Sequence, residues 1–203
     1  VIVYVETNFV LQLALRQEEA DAADTILERA KQGIIKLVLP AFSLSEPYST
    51  LTYRALERRA IYNSLMRQLA LLSRSEPHQQ TAAVLQQLLA MWRGLERREI
   101  DLLHSAITDM MSASRTIQTE LGDIQRSANY RSLYDLSPQD GIILAAIVRD
   151  LDAQDQAEAK CFISTNIKDF GDPDIRAELK SFNCRYISKL ADALGFIDST
   201  GST

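Results

Sequence analysis

The first eight residues, Val1-Ile2-Val3-Tyr4-Val5-Glu6-Thr7-Asn8, constrain the chain more than any other stretch. Five apolar, β-favouring residues run without interruption and stop at a carboxylate. Two residues that cap helices well follow at once. An apolar run without alternation suits a strand buried on both faces, as in a parallel sheet. Phe9, Val10, Leu13 and Ala14 then recur at helical spacing. A strand, a tight turn and a helix in this order put Glu6 on the carboxyl edge of the strand. In open α/β sheets, ligands bind at that edge.

A length of 203 residues suits one domain with a sizeable core, or one domain carrying a large insertion. No apolar run is long enough to span a membrane, and the opening run lacks a basic flank and a cleavage site, so the expectation is a cytoplasmic protein with no membrane partner. Cys161 and Cys184 flank short apolar runs and do not match zinc-ligand spacing; they read as buried free thiols. His78 and His104 fall in motif-free helical stretches, which leaves little material for a histidine triad or a zinc site. The net charge is −5, so any nucleic-acid role needs a local basic patch.

Taken in order, Glu18 to Lys31 reads as a helix and Ile34 to Leu39 as a second strand. Glu46 follows within Ser43-Leu44-Ser45-Glu46-Pro47, where Ser43 and Glu46 also have the spacing of a capping box. From Tyr48 to about Arg131 there is no strand signal. Apolar stripes at helical spacing run through Leu56, Ala60, Leu65, Leu69 and Leu72, through Val84, Leu88, Met91 and Leu95, and from Leu102 to Met111. Arginines cluster in this helical excursion, with Arg54 and Arg58 on one helix face and Arg93 and Arg97 on another. They read either as solvated faces paired with Glu57, Glu96 and Glu99, or as a rim contacting RNA phosphates.

Leu136-Ser137-Pro138-Gln139-Asp140 opens a largely buried helix, with Ser137 as N-cap and Asp140 at the third position. Capping is the plain alternative to a functional Asp140. Cys161 to Ile163 is the third strand; Ser164, Asn166 and Asp169 follow it. Asp172 caps a helix from Pro173, Asn183 to Ile187 is the last strand, and Leu190 to Phe196 closes the fold. The alternation predicts an α/β protein, a parallel sheet with helices on both faces. Glu6, Glu46, Asp140 and Asp169 then gather near one sheet edge. Four carboxylates without histidine or cysteine make a hard oxygen site, suited to Mg²⁺ or Mn²⁺. The favoured chemistry is phosphodiester hydrolysis by metal-activated water.

The segments Tyr4-Val5-Glu6-Thr7-Asn8, Pro40 to Glu46, Leu136 to Asp140 and Ile163 to Phe170 resemble, in order and approximate spacing, the motifs of the PIN-domain family of metal-dependent ribonucleases. The resemblance covers about residues 1–50 and 133–198. It implies a three-layer α/β/α sandwich around a small parallel sheet, in one domain over 1–198 with a helical insertion at about 50–132 and a flexible tail at 199–203. It implies Glu6, Glu46, Asp140 and Asp169 as the catalytic, metal-holding acids, with Asn8, Ser164 and Asn166 supporting them. It implies an RNA substrate and, as in toxin-type members, a protein inhibitor of the antitoxin kind and homodimerisation. This chain has Glu6 where the family usually has Asp, which displaces the carboxylate by on the order of 1.5 Å. It has Ile167 where some members carry another acid, and its excursion is longer than compact toxins have. A catalytically weak scaffold that binds RNA or a protein through the insertion is the alternative; a nuclease on DNA flaps is a third reading.

Overall fold

A computed structural model describes residues 1–201. Among these, five parallel strands form one sheet: β1 (Ile2–Val5), β2 (Lys36–Pro40), β3 (Ser114–Ile117), β4 (Lys160–Ile163) and β5 (Cys184–Ile187), in the order β3-β2-β1-β4-β5. β1 lies at the centre, with Ile2 beside Lys36 on one side and Lys160 on the other. Its four residues are all buried, which is why no polar residue interrupts it. Chain order steps outward from β1 to β2 and β3, then returns to β4 on the far side of β1. The β1–β4 boundary is therefore the switch point of the sheet, where a crevice opens at the carboxyl ends.

Alternate strand residues serve two layers. Ile2, Tyr4, Val38, Phe162 and Cys184 pack in one core with α6 (Leu121–Tyr134), α7 (Pro138–Asp152), α8 (Ile167–Phe170) and α9 (Pro173–Ser181). Phe162 meets Phe170 edge-on, with centroids 5.1 Å apart. Val3, Val5, Leu37, Leu39, Cys161 and Ile163 are buried on the opposite face, where α2 (Ala20–Lys31) and α10 (Leu190–Gly201) touch the strands and α1 (Thr7–Leu15) packs on α2. This is the α/β architecture expected. Both cysteines are free and buried, and burial pushes the Cys161 thiol up to about 12.

Several elements depart from the expectation. β3 lies in a stretch that carries no strand signal. Its sequence, Ser114-Arg115-Thr116-Ile117, is mostly polar because it is an edge strand, held by pairing with β2 and not by its own burial. The single helix expected from the stripe Val84, Leu88, Met91 and Leu95 is divided at Gly94, whose φ of +85° only glycine adopts without strain, into α4 (Gln79–Trp92) and α5 (Leu95–Ala113). Val84, Leu88 and Met91 face outward; α4 instead buries Ala82 and Leu89. Two overlapping stripes satisfy the same period there, and periodicity cannot choose between them.

The chain divides into two compact units. The helical one spans Tyr48–Leu102; residues 103–132, expected in the insertion, belong to the sheet unit, which also holds Val1–Pro47. Helix α3 (Glu46–Leu72) leaves the sheet unit at Pro47 and α5 returns to it at Leu103. In place of a tail beginning at 199, α10 continues to Gly201; Ser202 and Thr203 lie outside the described residues.

Candidate active site

Glu6 ends β1 and is the N-cap of α1. Its Oε2 accepts the Asn8 amide at 2.8 Å, while Oε1 is buried with no hydrogen-bond partner among the described residues. The residue is 3% exposed. Burial pushes its carboxyl up to about 7. The Asn8 amide and the Ser164 hydroxyl oppose that shift, and the charges of Glu46 and Asp140 add to it. A carboxylate favoured only by one amide of its own helix and one hydroxyl, against burial and repulsion from two neighbours, has little reason to be charged.

Glu46 is the first residue of α3, and its Oε2 accepts the Thr7 hydroxyl at 2.5 Å. The capping box expected from Ser43 does not form: Ser43 lies inside a 3₁₀ turn, Ala41–Leu44, with its hydroxyl buried and unpartnered. Asp140 is in the first turn of α7. Ser137 caps that helix, accepting the Asp140 amide at 3.1 Å and donating to Asp140 Oδ2 at 2.5 Å. The capping role is thus real, yet it does not exhaust the residue. Burial raises the Asp140 carboxyl, the Ser137 hydroxyl opposes the shift, and the charges of Asp169 and Glu46 add to it. Asp169, in the short helix α8, accepts from the Asn166 side chain at 2.5 Å. Ser164, at the end of β4, is buried; its hydroxyl accepts the Asn166 amide at 3.1 Å and its carbonyl accepts the Tyr186 hydroxyl at 2.8 Å.

The charges of Glu46 and Asp140 bear on Glu6, those of Asp169 and Glu46 bear on Asp140, and each of the four acids is held by a neutral side chain or its own backbone. The donors are all oxygen, and one buried carboxylate oxygen is unshared, which is the chemistry a hard divalent cation suits. Among the described residues no three His, Cys, Asp or Glu side chains are gathered as a ready-made metal site. Mg²⁺ keeps several waters and is commonly bound through one or two carboxylates, so an acid ring that does not close on one ion still fits it.

Sequence reading missed the supporting hydroxyls of Thr7 and Tyr186. Thr7 stands in the opening motif and could have been noticed there; Tyr186 is placed only by β4–β5 pairing. The arginines singled out as RNA contacts lie in the helical unit. Arg58 grips Glu99 with both guanidinium nitrogens, one at 2.7 Å, and Arg59 pairs with Glu96 at 3.1 Å. Arg54 is half-buried, whereas Arg93 and Arg97 are exposed.

Among the described residues no helix is long and apolar enough to cross a membrane. A search of curated proteins gives no match. Among solved structures, a chain from VapBC2 of Rickettsia felis, crystallised with a DNA fragment from its promoter, matches with a TM-score of 0.44 and 13% identity. The match covers 92% of this chain and 98% of that one. A family model described as PIN domain matches residues 3–170, which include all four acids. The chain belongs to the PIN domain family.

Proposed function

We propose that the chain is a Mg²⁺- or Mn²⁺-dependent endoribonuclease whose metal-holding acids are Glu6, Glu46, Asp140 and Asp169. PIN domains are generally nucleases and typically depend on a divalent metal, and this chain supplies the acids in the expected order. The observation that carries the reading is a buried carboxylate oxygen, Glu6 Oε1, with no hydrogen-bond partner among the described residues. Glu6 and Asp140 are both raised by burial and by neighbouring carboxylates, with the Glu6 Oε1 atom left unshared. When bound, the metal would polarise the phosphodiester and lower the pKa of attacking water. The chain's own residues hold the acids in place: Asn8 fixes Glu6, Thr7 fixes Glu46, Ser137 fixes Asp140 and Asn166 fixes Asp169.

Manganese calorimetry and an RNA-cleavage assay on the same samples test this. Wild type binds Mn²⁺ and cleaves. Asp140→Asn, which keeps the Ser137 contact sterically, stays folded and loses cleavage by at least about a hundredfold, the scale of losing one electrostatic contributor to a transition state. Cleavage surviving in this variant would remove the site.

A second reading has its own observation. Every one of the four acids already accepts a hydrogen bond within the fold, and no three are gathered for direct ligation. A scaffold that binds RNA or a protein without turnover has the same appearance. Folded wild type that takes up no Mn²⁺ would favour it.

A further inference from the structure

The helical unit contains a cavity of about 330 Å³ formed where α3 faces the α4–α5 turn, lined by Arg58, Arg59, Tyr62, Trp92, Arg93 and Glu96 among others. That volume is at the small end of ligand pockets. Its charges are unequally matched. Arg58 is neutralised by Glu99 and Arg59 by Glu96. Arg93 has no carboxylate partner among the described residues; its Nε donates to the Tyr62 hydroxyl at 2.9 Å, and its guanidinium carbon lies 6.0 Å from the Tyr62 ring centroid. Tyr62 and Trp92 are only half-buried, so their rings are partly open to solvent.

One unmatched guanidinium beside two partly exposed aromatic rings is the combination that holds single-stranded nucleic acid. The rings accept a base by stacking, in a way that tolerates any sequence, and the cation takes the phosphate. An acidic peptide would use the charge but leave the rings without a purpose. We infer that this cavity binds one nucleotide of a single-stranded nucleic acid, stacking its base on Tyr62 and Trp92 and pairing its phosphate with Arg93. The inference stands on the cavity and does not depend on the acid cluster.

Trp92 is the only tryptophan of the chain, so its emission reports on this cavity alone. The full chain, kept in EDTA so that no metal-dependent cleavage runs, is titrated with labelled oligouridylate and oligodeoxythymidylate while Trp92 emission and label anisotropy are followed together. Saturable quenching in step with anisotropy is expected. Tyr62→Leu weakens binding about tenfold, within the range of one lost base–aromatic stack. Tyr62→Phe keeps the ring and the fold and weakens binding less. Arg93→Gln reduces the slope of log K against log salt by about 0.7, as for one lost single-strand phosphate contact. Binding that leaves Trp92 emission unmoved would overturn the inference, as would no binding at all, an unchanged affinity in both Tyr62→Leu and Arg93→Gln, or equal quenching by polyglutamate. Metal-dependent cleavage by wild type is read separately and lost only through the acids, so either reading can fail alone.

Discussion

Helix α7 holds acids at both ends, in opposite circumstances. Near its carboxyl end, Asp150 accepts both nitrogens of Arg115, at 2.8 and 2.6 Å, and the Tyr4 hydroxyl at 2.8 Å. The residue just before it, Arg149, grips Asp123 at 2.9 and 3.0 Å and reaches Glu120 at 2.8 Å. Burial works against the charge on Asp150, but the bonds from Arg115 and Tyr4 outweigh it and lower its pKa. At the amino end, the charges acting on Asp140 are those of Asp169 and Glu46. The helix dipole favours an acid there and disfavours one at the carboxyl end. The fold thus supplies cations where the dipole is hostile and none where it is favourable. Acids of the first kind tie β1, β3, α6 and α7 together. Under the proposed function, acids of the second kind are the ones a cation from outside would complete.

That contrast can be broken at either end. The largest effect is expected from Asp150→Ala, which strands the Tyr4 hydroxyl in the core and leaves Arg115 without its partner. Losing one side of such a pair costs about 3 kcal/mol, the upper range being discounted because Arg115 is half exposed. Urea unfolding would register the loss, and an unchanged midpoint would mean this end is as loosely held as the other.

Glu6→Gln should act in the opposite direction. Its carboxyl lies near 7 in the fold against 4.5 for a free glutamate. The folded chain therefore retains a proton that the unfolded chain has released. The contribution of this residue to stability therefore falls as pH rises from about 4.5 to about 7 and is level above that. Removing the charge should gain on the order of 2–3 kcal/mol at pH 8 and flatten this slope. Melting with EDTA across that pH range checks both, and a wild-type curve without the slope would sink the claim. Added Mn²⁺ should stabilise wild type more than the variant.

The smallest effect is expected from Gly141→Ala, one residue from Asp140. A Cβ there would sit 3.2 Å from both the Ser127 carbonyl oxygen and its Cβ, where α6 crosses α7. Overpacking of this kind costs about 1–2 kcal/mol. If cleavage falls further than stability, the crossing also sets the position of Asp140; equal losses would make it packing alone.

Much of this was legible in the residues. β1, β2, β4 and β5 announce themselves by short apolar runs, and α7 by its cap and its broad apolar face. The order of the acids along the chain, and the likeness to the PIN family, could be read directly. β3 could not, because Ser114, Arg115 and Thr116 are strand residues only by virtue of β2 beside them. The sequence offered Glu57, Glu96 and Glu99 as partners for the arginines, and only the fold chose among them: Arg58 takes Glu99, on another helix and far along the chain.

Sequence alone determined the class of the fold and nominated the four acids, because burial periodicity and residue type are local properties. Only the tertiary structure decided what those acids do to one another. A cap and a metal ligand call for the same residues at the same helix start, and Ser137-Pro138-Gln139-Asp140 satisfies both. What distinguishes them is the charge that the rest of the chain brings near. For Asp150 that charge is Arg115, from a strand the sequence did not reveal; for Asp140 it is more carboxylate, Glu46 carried in by α3 and Asp169 by α8.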